Sequence, residues 1–174
     1  LGILQKQKNK FFQREKELSE LLPQLSASYA RGDFKPVLRF YKGREGLTEI
    51  RDDIFSTKSN EILLYTNQKS AQLVFTEKDT KDFIKKRIKQ GIKIKVLAVN
   101  VLDALKIIKE DSKELRETRL LPKDVFFTAE TYIYDNKVAM LDYSKEIIGF
   151  IVKSSEFADA QKAIFMALWN ATKK

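Results

Sequence analysis

From Thr128 to Phe150 the apolar positions fall into three short runs, and these predict three strands in a meander. Thr131-Tyr132-Ile133-Tyr134 is β-branched and aromatic throughout, Asp135-Asn136 is a turn pair, and Val138 to Tyr143 is strand-like again. Ser144-Lys145-Glu146 is a second turn, and Ile147 to Val152 is the third run. Because the runs are nearly continuous in apolar residues, both faces of these strands should be covered by helices.

Upstream, the period alternates between 2 and 3.6. Val37 to Tyr41 predicts a strand, and Gly43 to Thr57 a helix with Leu47, Ile50, Ile54 and Phe55 on one face. Ile62 to Tyr65 predicts a second strand and Asn67 to Thr76 a polar connector. Thr76 should cap a helix over Glu77 to Gln90, with Phe83, Ile84 and Ile88 inward and a stop at Gly91. A third strand is expected over Ile92 to Val99, a helix over Val101 to Lys109, and an extended segment over Leu115 to Leu121, ending at Pro122. The last helix, Ser155 to Thr172, should turn Phe157, Ala160, Ile164, Ala167 and Leu168 to one side, with Phe165 and Trp169 beside them. This order predicts an α/β class: a mixed β-sheet flanked by helices, its first three strands parallel, the meander antiparallel.

Leu1 to Leu22 is different. It is polar and charged, with Leu4, Phe11 and Leu18 seven apart and Leu21 and Leu22 close behind. Gln7 and Arg14 hold the companion positions, so the seam is imperfect. One reading is a long N-terminal helix that pairs with a copy of itself through Leu4, Phe11, Leu18 and Leu21; the other is a solvated helix docked on the core. The division that follows is a dimerisation helix over 1–25 and a domain over 35–174. Arg31-Gly32-Asp33 between them reads as turn chemistry.

Composition narrows the chemistry. The chain has 174 residues, no cysteine and no histidine. That excludes disulfides, thiolate metal sites, an imidazole base and a histidine nucleophile. No metal or cofactor is expected. No apolar run reaches the ~20 residues of a membrane span, so a cytoplasmic protein without a membrane partner is expected. The net charge of +9 permits an anionic partner. Much of the excess lies between Lys78 and Lys95, where eight basic residues face two acidic ones. A phosphate-tracking surface would look like this, and so would a solvated helix face; aromatic interleaving for base stacking is absent. Gly43-Arg44-Glu45-Gly46 lacks the spacing of a phosphate loop and reads as a tight strand-to-helix turn. The carboxylate pairs Asp52-Asp53 and Glu110-Asp111 read as solvated.

Asp135-Asn136-Lys137-Val138-Ala139-Met140-Leu141 and the final helix with Phe165-Met166-Ala167-Leu168-Trp169 resemble the second part of a phospholipase D-like module. That superfamily carries a His-x-Lys-x4-Asp motif whose histidine accepts the phosphoryl group. With Asp135 on the motif's aspartate, Glu130 takes the place of the lysine and Thr128 that of the histidine. The resemblance implies a motif that has lost its nucleophile and exchanged its phosphate-holding cation for an anion.

Three further stretches are similar to the effector domain of TrmB-like transcriptional regulators: Lys35-Pro36-Val37-Leu38-Arg39-Phe40-Tyr41-Lys42-Gly43-Arg44-Glu45-Gly46, Arg87 to Val96, and Glu114-Leu115-Arg116-Glu117-Thr118-Arg119-Leu120-Leu121-Pro122. The resemblance implies a homodimer joined by the N-terminal coiled-coil helix, and DNA contact through a winged-helix domain upstream of Leu1. It implies a non-catalytic, effector-sensing domain. A small-molecule effector is expected in a cleft near the C-terminal ends of the parallel strands, with Thr66, Asn67, Arg119, Thr128 and Glu130 as candidate lining residues. Rival readings are a phosphodiesterase or nuclease of the phospholipase D class, and direct nucleic-acid binding through the Lys78 to Lys95 surface.

Overall fold

The computed structural model describes residues 36–99, 108–144 and 146–172. The expected dimerisation helix, with Leu4, Phe11, Leu18 and Leu21, and most of the helix expected over Val101 to Lys109 lie outside these residues. Seven strands form one sheet: β1 (Val37–Lys42), β2 (Glu61–Thr66), β3 (Lys93–Ala98), β4 (Arg116–Leu120), β5 (Glu130–Tyr134), β6 (Lys137–Asp142) and β7 (Ile148–Lys153). Helices α1 (Gly43–Ile54), α2 (Gln68–Ala71), α3 (Glu77–Lys89) and α4 (Ser155–Ala171) accompany them. The strand order is β1-β7-β6-β5-β2-β3-β4.

β2, β3 and β4 are parallel neighbours, and β5, β6 and β7 form the antiparallel meander. The first three strands share one direction, as expected, but β1 is not a neighbour of the other two. It runs in the same sense as β2 but sits at the far edge, antiparallel to β7, with three strands between them. Strand periodicity fixes which residues pair with a sheet, not which slot the strand takes.

Both faces are covered, as the apolar runs require. On one face Leu47, Ile50 and Ile54 of α1 pack with Ile62, Leu64, Val96, Tyr132, Ala139 and Leu141. On the other, Ala158, Phe165 and Trp169 of α4 pack with Leu63, Leu97, Ile133 and Val138. On α4 the residues expected to share a side divide from their neighbours by burial. The stripe of Phe157, Ile164 and Leu168 is exposed, while Ala158, Phe165 and Trp169 are buried. Two apolar stripes compete on this helix, and the one holding the stacked Phe165 and Trp169 rings removes more area from water. The connector after β2 also holds more than polar loop: Ala71 and Phe75 belong to the core.

Local chemistry fixes the joins. Gly43 starts α1 at φ +72°, and its N–H donates to the Ile147 carbonyl at 2.8 Å. Thr76 and Asp79 form a reciprocal capping box on α3, and Ser154 caps α4. Asp135 stands at φ 46° in the β5–β6 turn. Its carboxylate accepts from the backbone N–H groups of Lys58 at 2.9 Å and Ser59 at 3.0 Å, and from the Thr57 hydroxyl at 3.0 Å. Burial alone would raise this carboxyl, but those donors outweigh it and hold it below the usual carboxylate range. The carboxylate pairs read as solvated are engaged as well. Asp53 accepts from Tyr134 and Lys137, both at 2.7 Å, and Asp111 accepts from Arg116 and Thr118.

Two outcomes follow. A methyl group at Gly149 would lie 2.4 Å from Ile50 Cδ1 and 2.9 Å from the Met140 carbonyl, so Gly149→Ala should destabilise the domain by roughly 2 kcal/mol in urea unfolding. Asp135→Asn tolerates the left-handed backbone but removes the charge and sets an amide N–H against backbone donors where a carboxylate oxygen accepted, costing roughly 1–3 kcal/mol at pH 7. The group's folded pKa is depressed, so its contribution is complete above the unfolded value of about 3.9 and drains as pH falls through the folded value. Stability curves of wild type and variant measured against pH should therefore converge below about pH 4.

Candidate functional site

The site grows from one buried carboxylate. Glu130 is the first residue of β5 and is 4% exposed. An ionised carboxylate so placed is costly unless donors reach it. Three hydroxyls do: Thr66 Oγ1 donates to Oε1 at 2.6 Å, and Tyr132 and Tyr143 donate to Oε2 at 3.1 and 2.5 Å. Strand alternation brings Tyr132 to the same face two residues on, and β2 supplies Thr66 alongside. Arg51 of α1 adds charge compensation, its Nη2 lying 3.7 Å from Oε2, beyond hydrogen-bond reach.

The Arg51 guanidinium lies over the Phe75 ring at 3.5 Å from its centroid. Phe75 meets Tyr143 edge-on, and Phe83 of α3 meets Tyr132. Burial pushes the Tyr132 and Tyr143 phenols well above their ordinary pKa, and Glu130 adds to it. They therefore remain neutral donors and are not bases at physiological pH. Burial would lower the Arg51 pKa, but Tyr132, Glu130 and Tyr143 outweigh it and the net direction is upward. Arg51 is cationic. Two of its nitrogens, Nε and Nη1, are buried without a hydrogen-bond partner.

A cavity of about 470 Å³ lies between this cluster, β2, β3 and α3. Leu64, Val96, Phe75, Phe83 and Ile84 supply much of its wall. Arg51, Thr66 and Glu130 line the cavity too, Arg87 and Arg116 contribute further polar wall, and the exposed Gln72 and Glu77 are part of the lining. The volume suits a small molecule.

Of the five candidate lining residues, the structure brings Thr66 and Glu130 together on this cavity. Asn67 is buried beside them, but its Nδ2 donates to the Phe127 carbonyl at 2.7 Å and fixes the loop before β5. Thr128 lies exposed in that loop. Arg119 does not reach the cavity. It works on the opposite face, donating to the Trp169 carbonyl at 2.6 Å and that of Thr172 at 3.1 Å, with its guanidinium over the Trp169 ring. That is the C-terminal cap of α4. Asp135 closes the other end of β5, about 16 Å from Glu130 at strand rise, and takes no part in the site.

Sequence reasoning missed Arg51, Phe75, Tyr132 and Tyr143. For Arg51 a signal existed: it falls four residues after Leu47 and one after Ile50, on the apolar face of α1. Arg87 follows the same rule. Counted above as part of a basic surface, it is 1% exposed and donates to the carbonyls of Ile92, Leu115 and Glu114. Lys81, Lys86 and Lys95 pair with Glu77, Asp52 and Glu61, so the surface between Lys78 and Lys95 carries less free charge than its composition suggests. Among the described residues no His, Cys, Asp and Glu group could hold a metal ion.

No protein-family model matches the chain, and no curated protein matches it. Solved structures do. TrmBL2, an archaeal chromatin protein with a novel mode of DNA binding, is 21% identical with a TM-score of 0.57; the match covers 98% of this chain, which spans 66% of that one. NucT from Helicobacter pylori is 18% identical with a TM-score of 0.57, covering 80% of this chain and 98% of its own. Nuc, a phospholipase D family member from Salmonella typhimurium, is 12% identical with a TM-score of 0.59, covering 80% and 97%. The architecture around Glu130 is therefore a phospholipase D-like fold.

Proposed function

We propose that this chain is the effector-sensing and dimerisation part of a TrmB-like transcription regulator and is not catalytic. The single observation that carries the reading is the state of Glu130. At the place the phospholipase D motif gives to a phosphate-holding lysine stands a carboxylate, saturated by Thr66, Tyr132 and Tyr143. No histidine is present to attack a phosphodiester there, no lysine stands at that place to hold one, and the neighbouring phenols stay protonated. What remains is a cavity beside a buried ion pair, suited to binding.

In this reading the helix over 1–25 joins two copies, a winged-helix domain upstream of Leu1 reads DNA, and occupancy of the cavity alters how the two are held. In the same reading the regulator works in the cytoplasm. The likeness to TrmBL2 over nearly the whole chain supports it. The phosphodiesterase reading has in its favour that the chain matches NucT and Nuc over almost their full lengths.

Both readings meet in one preparation of the whole chain. Light scattering should report a dimer, and incubation with bis(4-nitrophenyl) phosphate should release no nitrophenol above the buffer rate. A monomer would remove the dimerisation role. Turnover abolished by Thr128→Ala would replace the whole reading with an enzymatic one.

A further inference from the structure

The cavity beside Arg51 has a chemistry of its own that the loss of catalysis does not explain. Glu130 is satisfied without Arg51, since its three hydrogen bonds come from hydroxyls. Arg51 is not satisfied by Glu130: the contact is 3.7 Å, and Nε and Nη1 have no partner. Arg87, which also lines the cavity, is bonded only to backbone carbonyls. Two buried guanidiniums thus border a space into which one buried carboxylate projects. Unmade hydrogen bonds to a buried cation are expensive, and an acceptor supplied from outside recovers them.

The rest of the wall sets the shape of that acceptor. Leu64, Val96, Ile94, Phe75, Phe83 and Ile84 would leave the hydroxyls of a polyol unmatched. A phosphate dianion would set two charges against Glu130. A carboxylate places a single charge and a planar pair of acceptors, which is what a guanidinium edge accepts best. We infer that the cavity takes a small monocarboxylate with an apolar aryl or alkyl body, its head on Arg51 and its body between α3 and β2–β3. The inference rests on the ligand-sensing reading above and names the class of effector.

The test uses the whole chain and calorimetric titration with benzoate and octanoate, against benzyl alcohol, 1-octanol and inorganic phosphate. At least one carboxylate should bind, and its neutral counterpart at least tenfold more weakly. Arg51→Lys keeps the charge and loses the fork, and should weaken the carboxylate about tenfold. Ile84→Trp should fill the cavity and abolish binding while leaving the wall at Arg51 intact. Neutral counterparts binding as well as the acids, phosphate alone binding as tightly, or no carboxylate binding at all would each overturn the inference. Phosphodiester turnover alongside intact carboxylate binding would overturn the regulatory reading and leave the ligand class standing. Missing carboxylate binding without turnover would do the reverse.

Discussion

A carboxylate buried among hydroxyls organises this domain. Glu130 starts β5, and its donors come from β2, from β5 itself and from the residue that follows β6, so one side chain holds three segments to one point. Arg51 brings α1 to the same point, and Phe75 and Phe83 close over the pair from the connector and from α3. Such an arrangement adds little net stability, because removing two charges from water costs about what their attraction returns. Losing one partner is another matter, since the survivor is left buried and unmatched.

The same point decides what the fold can do. Here the phenols are neutral, the carboxylate is occupied and imidazole is absent from the chain. Asp135 serves structure, tying the β5–β6 turn to the backbone after α1.

Much of the fold is legible in the sequence because it rests on local rules. Thr76 with Asp79, Gly43, Pro122 and the Asp135-Asn136 turn each mark a boundary by their own backbone preferences, and the meander is written in its apolar runs. The slot of β1 and the facing of α4 are not local. Both depend on competition between surfaces far apart in the chain, as when Phe165 and Trp169 displace the Phe157, Ile164 and Leu168 stripe. The site was half legible. Thr66 and Glu130 follow from strand ends and the motif resemblance, whereas Arg51 and Arg87 look like ordinary surface cations until their helical phase is compared with Leu47 and Phe83. Arg119 looked like a site residue because it ends a parallel strand; side-chain alternation sends it to the other face.

The most direct measurement of this account is a double-mutant cycle on Arg51 and Glu130, read by urea unfolding of Arg51→Met, Glu130→Gln and the pair together. If the two groups compensate each other inside the domain, each single variant is destabilised by several kcal/mol and the double variant by less than their sum, with a coupling above about 1 kcal/mol. Additive effects would show that the two charges do not compensate each other, and the account of a buried ion pair at the centre of the domain would fail.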